Sequence, residues 1–479
     1  MKLTLGTIAD WIHAEGDFTT NREALGYSID SRTVNAGELF FAVTGERIDG
    51  HDFVEAALAN GAIAAVVSNR WLAPDDPHRV DPCKLLWVPE GEDCVLKSMQ
   101  TLARQVRRAW GGRVIGITGS AGKTTTKEMV AQVLSSRHNV LRSAGNLNNH
   151  FGVPLQLLRL EPEHEIAVIE MGMNHAGEIA ALAKIAEPNW AVVSNVAAVH
   201  LEFFPDGLGG IARAKYELVQ ALPEDGVAIL NGDDDYVRTF AEGLGERAVL
   251  YGLRGPVKVL AKNVKEVGTE GVRFDVEASD QHVQVSLHLL GRHNVSNALA
   301  AIAVGVQCGM DLETCAAALA KMRPADKRGA VMEWHGASIV NDCYNSNPVA
   351  LDAMVDALMA LPVEQDTRRI VVAGEMLELG PQGAALHREC GVRMSTRGVD
   401  FVLGVRGLAS SLVEGAQAAG VSSLFVSTPE EAGEWMLANV KAGDAVLLKA
   451  SRGVQLERAL ETLKSANHSS ATAPLAGVE

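Results

Sequence analysis

The apolar run VIGITG, beginning at Val114, leads directly into SAGKTT, Ser120 to Thr125, and the helical pattern KTTTKEMVAQVLSSR begins within it. A strand, a glycine loop and a helix N-terminus in that order make an anion cradle, because free N–H groups and the positive helix end point at one place. In such a cradle Lys123 reaches the terminal phosphates of a nucleoside triphosphate and Thr124 is set to ligate Mg²⁺. The spacing departs from G-x-x-x-x-G-K, since Gly116 is one residue too far from Gly122 and position 117 is Ile. What remains is Thr118, Gly119, Ser120, Ala121, Gly122, Lys123, Thr124 and Thr125 in series. No G-x-G-x-x-G follows the strand, so a triphosphate suits the loop better than a dinucleotide. A glycine turn with an ordinary surface lysine is the plain structural alternative.

The surrounding text supports the cradle. EIAVIE, GEIAALAKIAE, WAVVSNV and AKYELVQALP alternate apolar strands with helical patterns, which predicts a parallel sheet covered on both faces. Glu170 closes the run EIAVIE, where a carboxylate at the strand's carboxyl end faces the phosphate loop and can hold Mg²⁺. His200 follows the next strand and falls at the same sheet edge, although a lone histidine is more often structural. Lys215, in IARAKYELV, reads by itself as a surface lysine. After Tyr251 the alternating patterns VRFDVEA and HVQVSLHLL predict a flanking antiparallel segment, followed by a helix at about Ser296 to Cys308.

With 479 residues and about 150 per domain, roughly three domains are expected. The charged run KMRPADKRG, Lys321 to Gly329, separates two strand–helix series. Beyond it ASIVND, PVALDAMVDALMAL, RRIVVAGEM, GVDFVLGV, PEEAGEWMLANV and DAVLLKA predict a second doubly wound sheet. Before residue 93 the shorter runs LFFAV and AIAAVV, punctuated by PDDPHRVDP and PEGED, predict a small α/β unit. The fold class is therefore α/β, with expected units at 1–92, 93–325 and 326–465 and a disordered tail over 466–479.

The balance of 43 Lys and Arg against 59 Asp and Glu, a net charge of −16, disfavours nucleic-acid partners. Arg32, Lys123 and Arg328 are then expected to make a locally basic cleft. The six cysteines contain no C-x-x-C pair, which points away from disulfides and cysteine zinc sites and toward a reducing cytosol. The first twenty residues place acidic side chains where a signal sequence is apolar, and no long uncharged apolar run occurs, so neither secretion nor stable membrane insertion is expected.

In order along the chain stand TGSAGKTT, GNLNNHFGVP, IEMGMN, AVHLEFF, ARAK, GRHNVSNALAA and NDCYNSNP. Jointly these resemble the Mur ligases, over about residues 25 to 460, in the branch whose acceptor is D-Ala-D-Ala. The resemblance implies a small N-terminal domain for a UDP-sugar peptide, a central phosphate-loop ATPase domain and a C-terminal Rossmann-like domain. It implies a cytoplasmic, monomeric, ATP- and Mg²⁺-dependent ligase of peptidoglycan precursor synthesis, and so of cell-wall biogenesis, cell shape and the division cycle. Its substrates would be UDP-MurNAc-tripeptide and D-Ala-D-Ala, joined through an acyl phosphate.

Residue by residue, the resemblance makes Lys123, His200 and Lys215 catalytic. Thr124, Glu170, His200 and a carbamylated Lys215 would hold two Mg²⁺ ions. Asn294 and Asn297 match the adenine segment, while Arg328, Asp342 and Tyr344 match positions that close over the nucleotide. Asp30, Ser31 and Arg32 match the uridine-nucleotide unit, and Asn146, Asn148 and Asn149 would face the same substrate unless they are turn-forming asparagines. Asn345, Asn347, Glu375, His387, Lys449 and Ser451 match elements on the acceptor side. Asn341 and Cys343 depart from the more usual D-D-S-Y-N-A-N pattern.

Without the resemblance, the residues support nucleotide-dependent phosphoryl transfer and leave kinase, ligase and NTPase open. A folylpolyglutamate-synthetase-like enzyme or another Mur ligase is the alternative within the fold, and a nucleotide-sensing regulatory protein the alternative outside it. The UDP-type N-terminal unit disfavours the folate enzyme, and Lys123, Glu170, His200 and Lys215 together disfavour the sensor.

Overall fold

Strand Arg113–Thr118 carries buried side chains on both faces from Val114 onward, which forces it into the interior of a sheet. The computed structural model describes residues 1–471 except 46, 73–80 and 363–365, with backbone alone at 70, 72 and 466–471. Among the described residues the central sheet has nine strands. Their order is Gln281–Leu287, Val272–Ala278, Val259–Glu266, Ala248–Gly252, Val227–Asn231, Trp190–Val193, Arg113–Thr118, Ile166–Glu170 and Val140–Arg142. Pairing is parallel from Val140–Arg142 as far as Val259–Glu266, and the last two pairs are antiparallel. The alternating text after Tyr251 thus forms the flanking antiparallel segment, which extends the parallel sheet rather than standing apart.

Helix Lys123–Leu134 packs against helix His293–Gln307, which starts slightly earlier than the sequence suggests and is apolar almost throughout. Those helices cover one face of the sheet. Helices Gly152–Leu157, Glu178–Ala186 and Gly207–Gln220 cover the other.

On the N-terminal side a parallel sheet runs Gly26–Ser28, Glu38–Phe41, Ala64–Ser68 and Leu85–Val88. Helix Cys94–Trp110 ties this unit to the central one. Its buried Arg107 donates to the carbonyl oxygens of Ala186 and Glu187 and to Asn189 Oδ1, at 3.0–3.1 Å. Hydrophobic packing continues across the junction, so the small unit shares a core with one face of the central sheet. PDDPHRVDP falls mostly outside the described residues.

The C-terminal sheet runs Ala330–Trp334, Ala337–Asp342, Ala445–Lys449, Arg369–Gly374, Phe401–Val405 and Ser422–Val426, parallel except for its first pair. Helix Arg458–Ala471 corrects the expected start of a tail at 466, because Leu460 and Leu463 seat it in the core and carry the helix further. Residues 472–479 lie outside the described residues. Among the described residues no helix is long and apolar enough to cross a membrane.

Candidate active site

Register places the chemistry. Ile117 pairs with Glu170 on one side of the phosphate-loop strand, and Thr118 pairs with Val193 on the other. The loop, Glu170 and the 194–200 segment therefore emerge together at the carboxyl edge, where the strand order reverses and parallel sheets bind ligands. The loop is braced from the neighbouring strand. Asn195 accepts from Ala121 N at 2.8 Å and donates to Ala121 O at 3.0 Å, while Ser120 Oγ accepts from Ala197 N at 2.8 Å. Gly119, at φ +152°, leaves only 1.9 Å between an added Cβ and Ser194 Oγ, and at Gly122 the same atom would lie 2.5 Å from Asn297 Oδ1. Glycine is thus required at both ends of the loop.

Several polar groups at this edge are left uncommitted. Glu170 is buried, its Oε1 accepts from Asn148 Nδ2 at 2.8 Å, and its Oε2 has no hydrogen-bond partner. Thr118 Oγ1 is likewise buried and unpartnered. Lys123 Nζ donates to Gly119 O at 2.8 Å. Desolvation lowers the Lys123 pKa against the pull of Glu170, and the charge of Arg328 adds to the lowering. Among the described residues Lys215 is buried with no carboxylate against it, and burial, reinforced by the charge of Lys123, takes its pKa well below the ordinary lysine value. A carboxylate oxygen without a hydrogen bond and the Thr124 hydroxyl, both lining the cavity at the phosphate cradle, are hard-oxygen donors, which fits Mg²⁺ completed by phosphate and water oxygens. Among the described residues no three His, Cys, Asp or Glu side chains converge as an all-protein metal cage.

Across a cleft stands the carboxyl edge of the C-terminal sheet. One cavity of about 800 Å³ is lined from both sides, by Ser120 to Thr125, Asn146, Asn148, Glu170 and His200 and by Asp342, Tyr344, Asn345, Asn347, Lys449 and Ser451. Arg328, from the linker, donates to Thr124 Oγ1 at 3.1 Å and lies 3.8 Å above the Tyr344 ring. Asp342 and Lys449 are register partners on adjacent strands, and their side chains form an ion pair. Lys449 also donates to Asn345 O at 2.9 Å. Asn294 and Asn297 line the cavity with their amides already linked: Thr126 donates to Asn297, Asn297 to Asn294, and Asn294 to Leu290 O.

Other expected site residues lie elsewhere. Asn149 caps helix Gly152–Leu157, accepting from Gly152 N at 2.9 Å, and takes the turn-forming reading. Neither Glu375 nor His387 lines the cavity. His387 is wholly buried, accepts from Met376 N at 2.9 Å and contacts Gly383 O through Nδ1 at 2.7 Å, so it braces the loop after strand Arg369–Gly374. Glu375 Oε1 accepts from Leu408 N at 3.0 Å. Asn347, although in the cavity wall, caps helix Pro348–Met359 through Ala350 N at 2.9 Å. Asp30, Ser31 and Arg32 stand on the N-terminal unit, away from this cavity. There Arg32 hydrogen-bonds Asp30 and holds its carboxyl down to about 2, so the basic cleft draws on Lys123 and Arg328 without Arg32.

Two charged groups at this edge escaped the sequence reading. Lys127, one turn after Lys123, is wholly buried. Its Nζ donates to Ser143 O at 2.7 Å and Gly145 O at 3.3 Å and lies 3.9 Å from Glu170 Oε2. A second lysine four positions after the first, on the same helix face, was the available signal. Glu378, from the C-terminal domain, places Oε2 at 2.6 Å from His200 Nδ1, an ion-pair contact lying off the line a regular hydrogen bond prefers.

A triphosphate cradle with an uncommitted carboxylate, faced by a second doubly wound sheet, defines a nucleotide-dependent phosphoryl-transfer enzyme. Family comparison agrees along the chain: the Mur ligase family catalytic domain matches residues 24–85, the Mur ligase middle domain 117–305, and the Mur ligase glutamate ligase domain 327–452. The UDP-N-acetylmuramoyl-tripeptide--D-alanyl-D-alanine ligase of Escherichia coli (strain K12) is 36% identical over 97% of this chain and 99% of its own length. Its namesake from Bacillus subtilis (strain 168) is 35% identical over 91% and 93%. Among solved structures, MurF from Acinetobacter baumannii superposes with a TM-score of 0.86 at 28% identity, covering 97% of this chain and 99% of that one. MurF ligase from Thermotoga maritima, in complex with ADP, gives 0.79 at 30% identity over 93% and 99%. The chain belongs to the Mur ligase family.

Proposed function

We propose that this chain is the ATP-dependent ligase that joins D-Ala-D-Ala to UDP-MurNAc-tripeptide, giving UDP-MurNAc-pentapeptide, ADP and phosphate in peptidoglycan precursor synthesis. The observation that carries it is the unpaired Glu170 oxygen beside Lys123 at the phosphate loop, facing a second sheet edge across one cavity. Relatives of that name match nearly end to end, and a similar structure holds ADP.

The chemistry requires two negatively charged reactants to meet. The tripeptide's terminal carboxylate attacks the γ-phosphorus of ATP, the bond to ADP breaks, and an acyl phosphate forms. The amine of D-Ala-D-Ala then adds to the acyl carbon, loses a proton, and phosphate leaves with the C–O bond's electron pair. Lys123 supplies fixed positive charge at the phosphates, and Arg328 brings a second cation from the closing domain. Thr124 and Glu170 are the residues for one Mg²⁺, and His200 with a carbamylated Lys215 those for a second. Bound there, Mg²⁺ supplies neutralisation of charge on the transferred phosphoryl group. A buried lysine with no counter-ion suits carbamylation, since reaction of its neutral amine with CO₂ replaces a strained cation with an anion.

In the same reading, Asn294 and Asn297 border the adenine, Asp342 and Tyr344 close over the nucleotide, and Asn146 and Asn148 meet the sugar-nucleotide peptide. Asp30, Ser31 and Arg32 hold its uridine end. Asn345, Asn347, Lys449 and Ser451 form the acceptor wall. We place the reaction in the cytoplasm, carried out by a monomer.

The test is phosphate release with ATP, Mg²⁺, UDP-MurNAc-tripeptide and D-Ala-D-Ala, each omitted in turn. Dependence on all four, with the pentapeptide product seen by mass, is expected. Equal release without the dipeptide would overturn the assignment of the acceptor.

A further inference from the structure

His200 and Glu378 belong to different domains, and each stands at the tip of a loop in the left-handed region, at φ +55° and +63°. For residues other than glycine that conformation is strained, and such outliers persist where the surrounding structure holds them. The two loops press together. Gly380, at φ +59°, would place an added Cβ 3.0 Å from Glu202 Cα, so glycine there favours the close approach of the chain beside Glu378 to the turn after His200.

The loop carrying Glu378 is fixed from behind by its own domain. Met376 N donates to His387 Nε2 at 2.9 Å, Leu377 N to Ser451 Oγ at 2.9 Å, and Ser451 N to Glu375 O at 3.2 Å. His387, Ser451 and Glu375 thus aim one carboxylate at one ring nitrogen across the domain boundary. A histidine that binds a metal through one nitrogen needs its other N–H held by an acceptor, which sets both tautomer and ring direction.

We propose that Glu378 is a positioning residue for His200: the C-terminal domain supplies the carboxylate that orients the central domain's histidine. His200 is then competent only while the two domains are together, which ties phosphoryl transfer to arrival of the acceptor-bearing domain and limits waste of the acyl phosphate. This rests on the reading of His200 as a metal ligand, so the experiment separates the two.

Glu378→Gln, Glu378→Asp, His200→Ala and the Glu378→Gln/His200→Ala pair are compared in the full chain. The readouts are kcat, KM for ATP, and Mn²⁺ affinity measured by EPR in the presence of ADP. Glu378→Gln is expected to lower kcat and weaken Mn²⁺ binding by about tenfold each, with KM for ATP unchanged. Glu378→Asp should recover part of both losses, and the double variant should match His200→Ala alone. Parental kcat and Mn²⁺ affinity in Glu378→Gln, with both lost in His200→Ala, would overturn the proposal alone. Additive losses in the double variant would overturn it as well. Full kcat and Mn²⁺ affinity in His200→Ala would remove the metal-ligand reading, and Glu378's role with it.

Discussion

The two sheet edges that face each other across the cleft are built alike and finished differently. Both are carboxyl edges of parallel sheets, and both bury charged side chains next to the cavity. On the C-terminal edge most polar groups are already satisfied: Lys449 meets Asp342 and Asn345 O, Asn347 caps a helix, and Ser451 holds Leu377 N, while Ser346 Oγ stays without a hydrogen-bond partner among the described residues. On the central edge Glu170 Oε2 and Thr118 Oγ1 have no partner and Lys215 has no counter-ion. Buried polar groups are normally paired, so those left open mark where ligand atoms complete the structure. The central edge leaves its charged groups open to reactants, and the C-terminal edge, where the charged pair is closed and Ser346 Oγ is open, is a largely finished wall that positions against it.

The contrast predicts that substitutions on the central edge cost turnover, and those on the C-terminal edge cost stability. Lys123→Ala should lose turnover by at least about a thousandfold, on the order of 4 kcal/mol, with its melting temperature kept. Sustained phosphate release in that variant would break the assignment. Lys449→Met leaves the partly buried Asp342 without its cation and should cost about 3 kcal/mol in denaturant unfolding. An unchanged midpoint would show that the wall is not held by that pair.

Glu170→Gln should reduce turnover about a hundredfold, near 2.7 kcal/mol, while thermal stability changes little, because Oε2 accepts no hydrogen bond and its ion-pair contact with Lys127, at 3.9 Å, is long. A fall in melting temperature like that of Lys449→Met would erase the difference between the edges. Lys127→Met sharpens the contrast, since Lys127 is a paired, wholly buried group behind the open site, 3.9 Å from Glu170 Oε2. Freeing two carbonyl oxygens should cost on the order of 2 kcal/mol of stability and raise KM for the sugar-nucleotide peptide. Stability loss with KM unchanged would make it purely structural. The smallest effect is expected for Asn347→Ala, about 1 kcal/mol from the lost helix cap with kcat nearly intact, read from a melting curve and a rate assay together.

The legible parts of the site were those whose backbone setting was visible in the text. VIGITG followed by SAGKTT fixes a strand, a loop and a helix, and EIAVIE ends at Glu170, so register alone brings loop and carboxylate together. Arg328 was legible through the family resemblance, as a position that closes over the nucleotide, and it reaches Thr124. Motif membership misled at Asn149, Glu375 and His387, which satisfy backbone N–H groups instead of facing the cavity. A polar residue in a motif has the same letter whether it serves a ligand or a loop. Lys127 and Glu378 were missed for the complementary reason, that each reads as an ordinary surface charge until its partners are seen.

By itself the sequence determined the α/β class, the doubly wound sheets and the triphosphate cradle, because hydrophobic period and glycine placement are local properties that fix strand, turn and helix. The tertiary structure decided which charges are already paired and which remain open. Pairing depends on side chains from strands distant in sequence, as with Asp342 and Lys449 or His200 and Glu378, and their distances are set only when the sheets assemble.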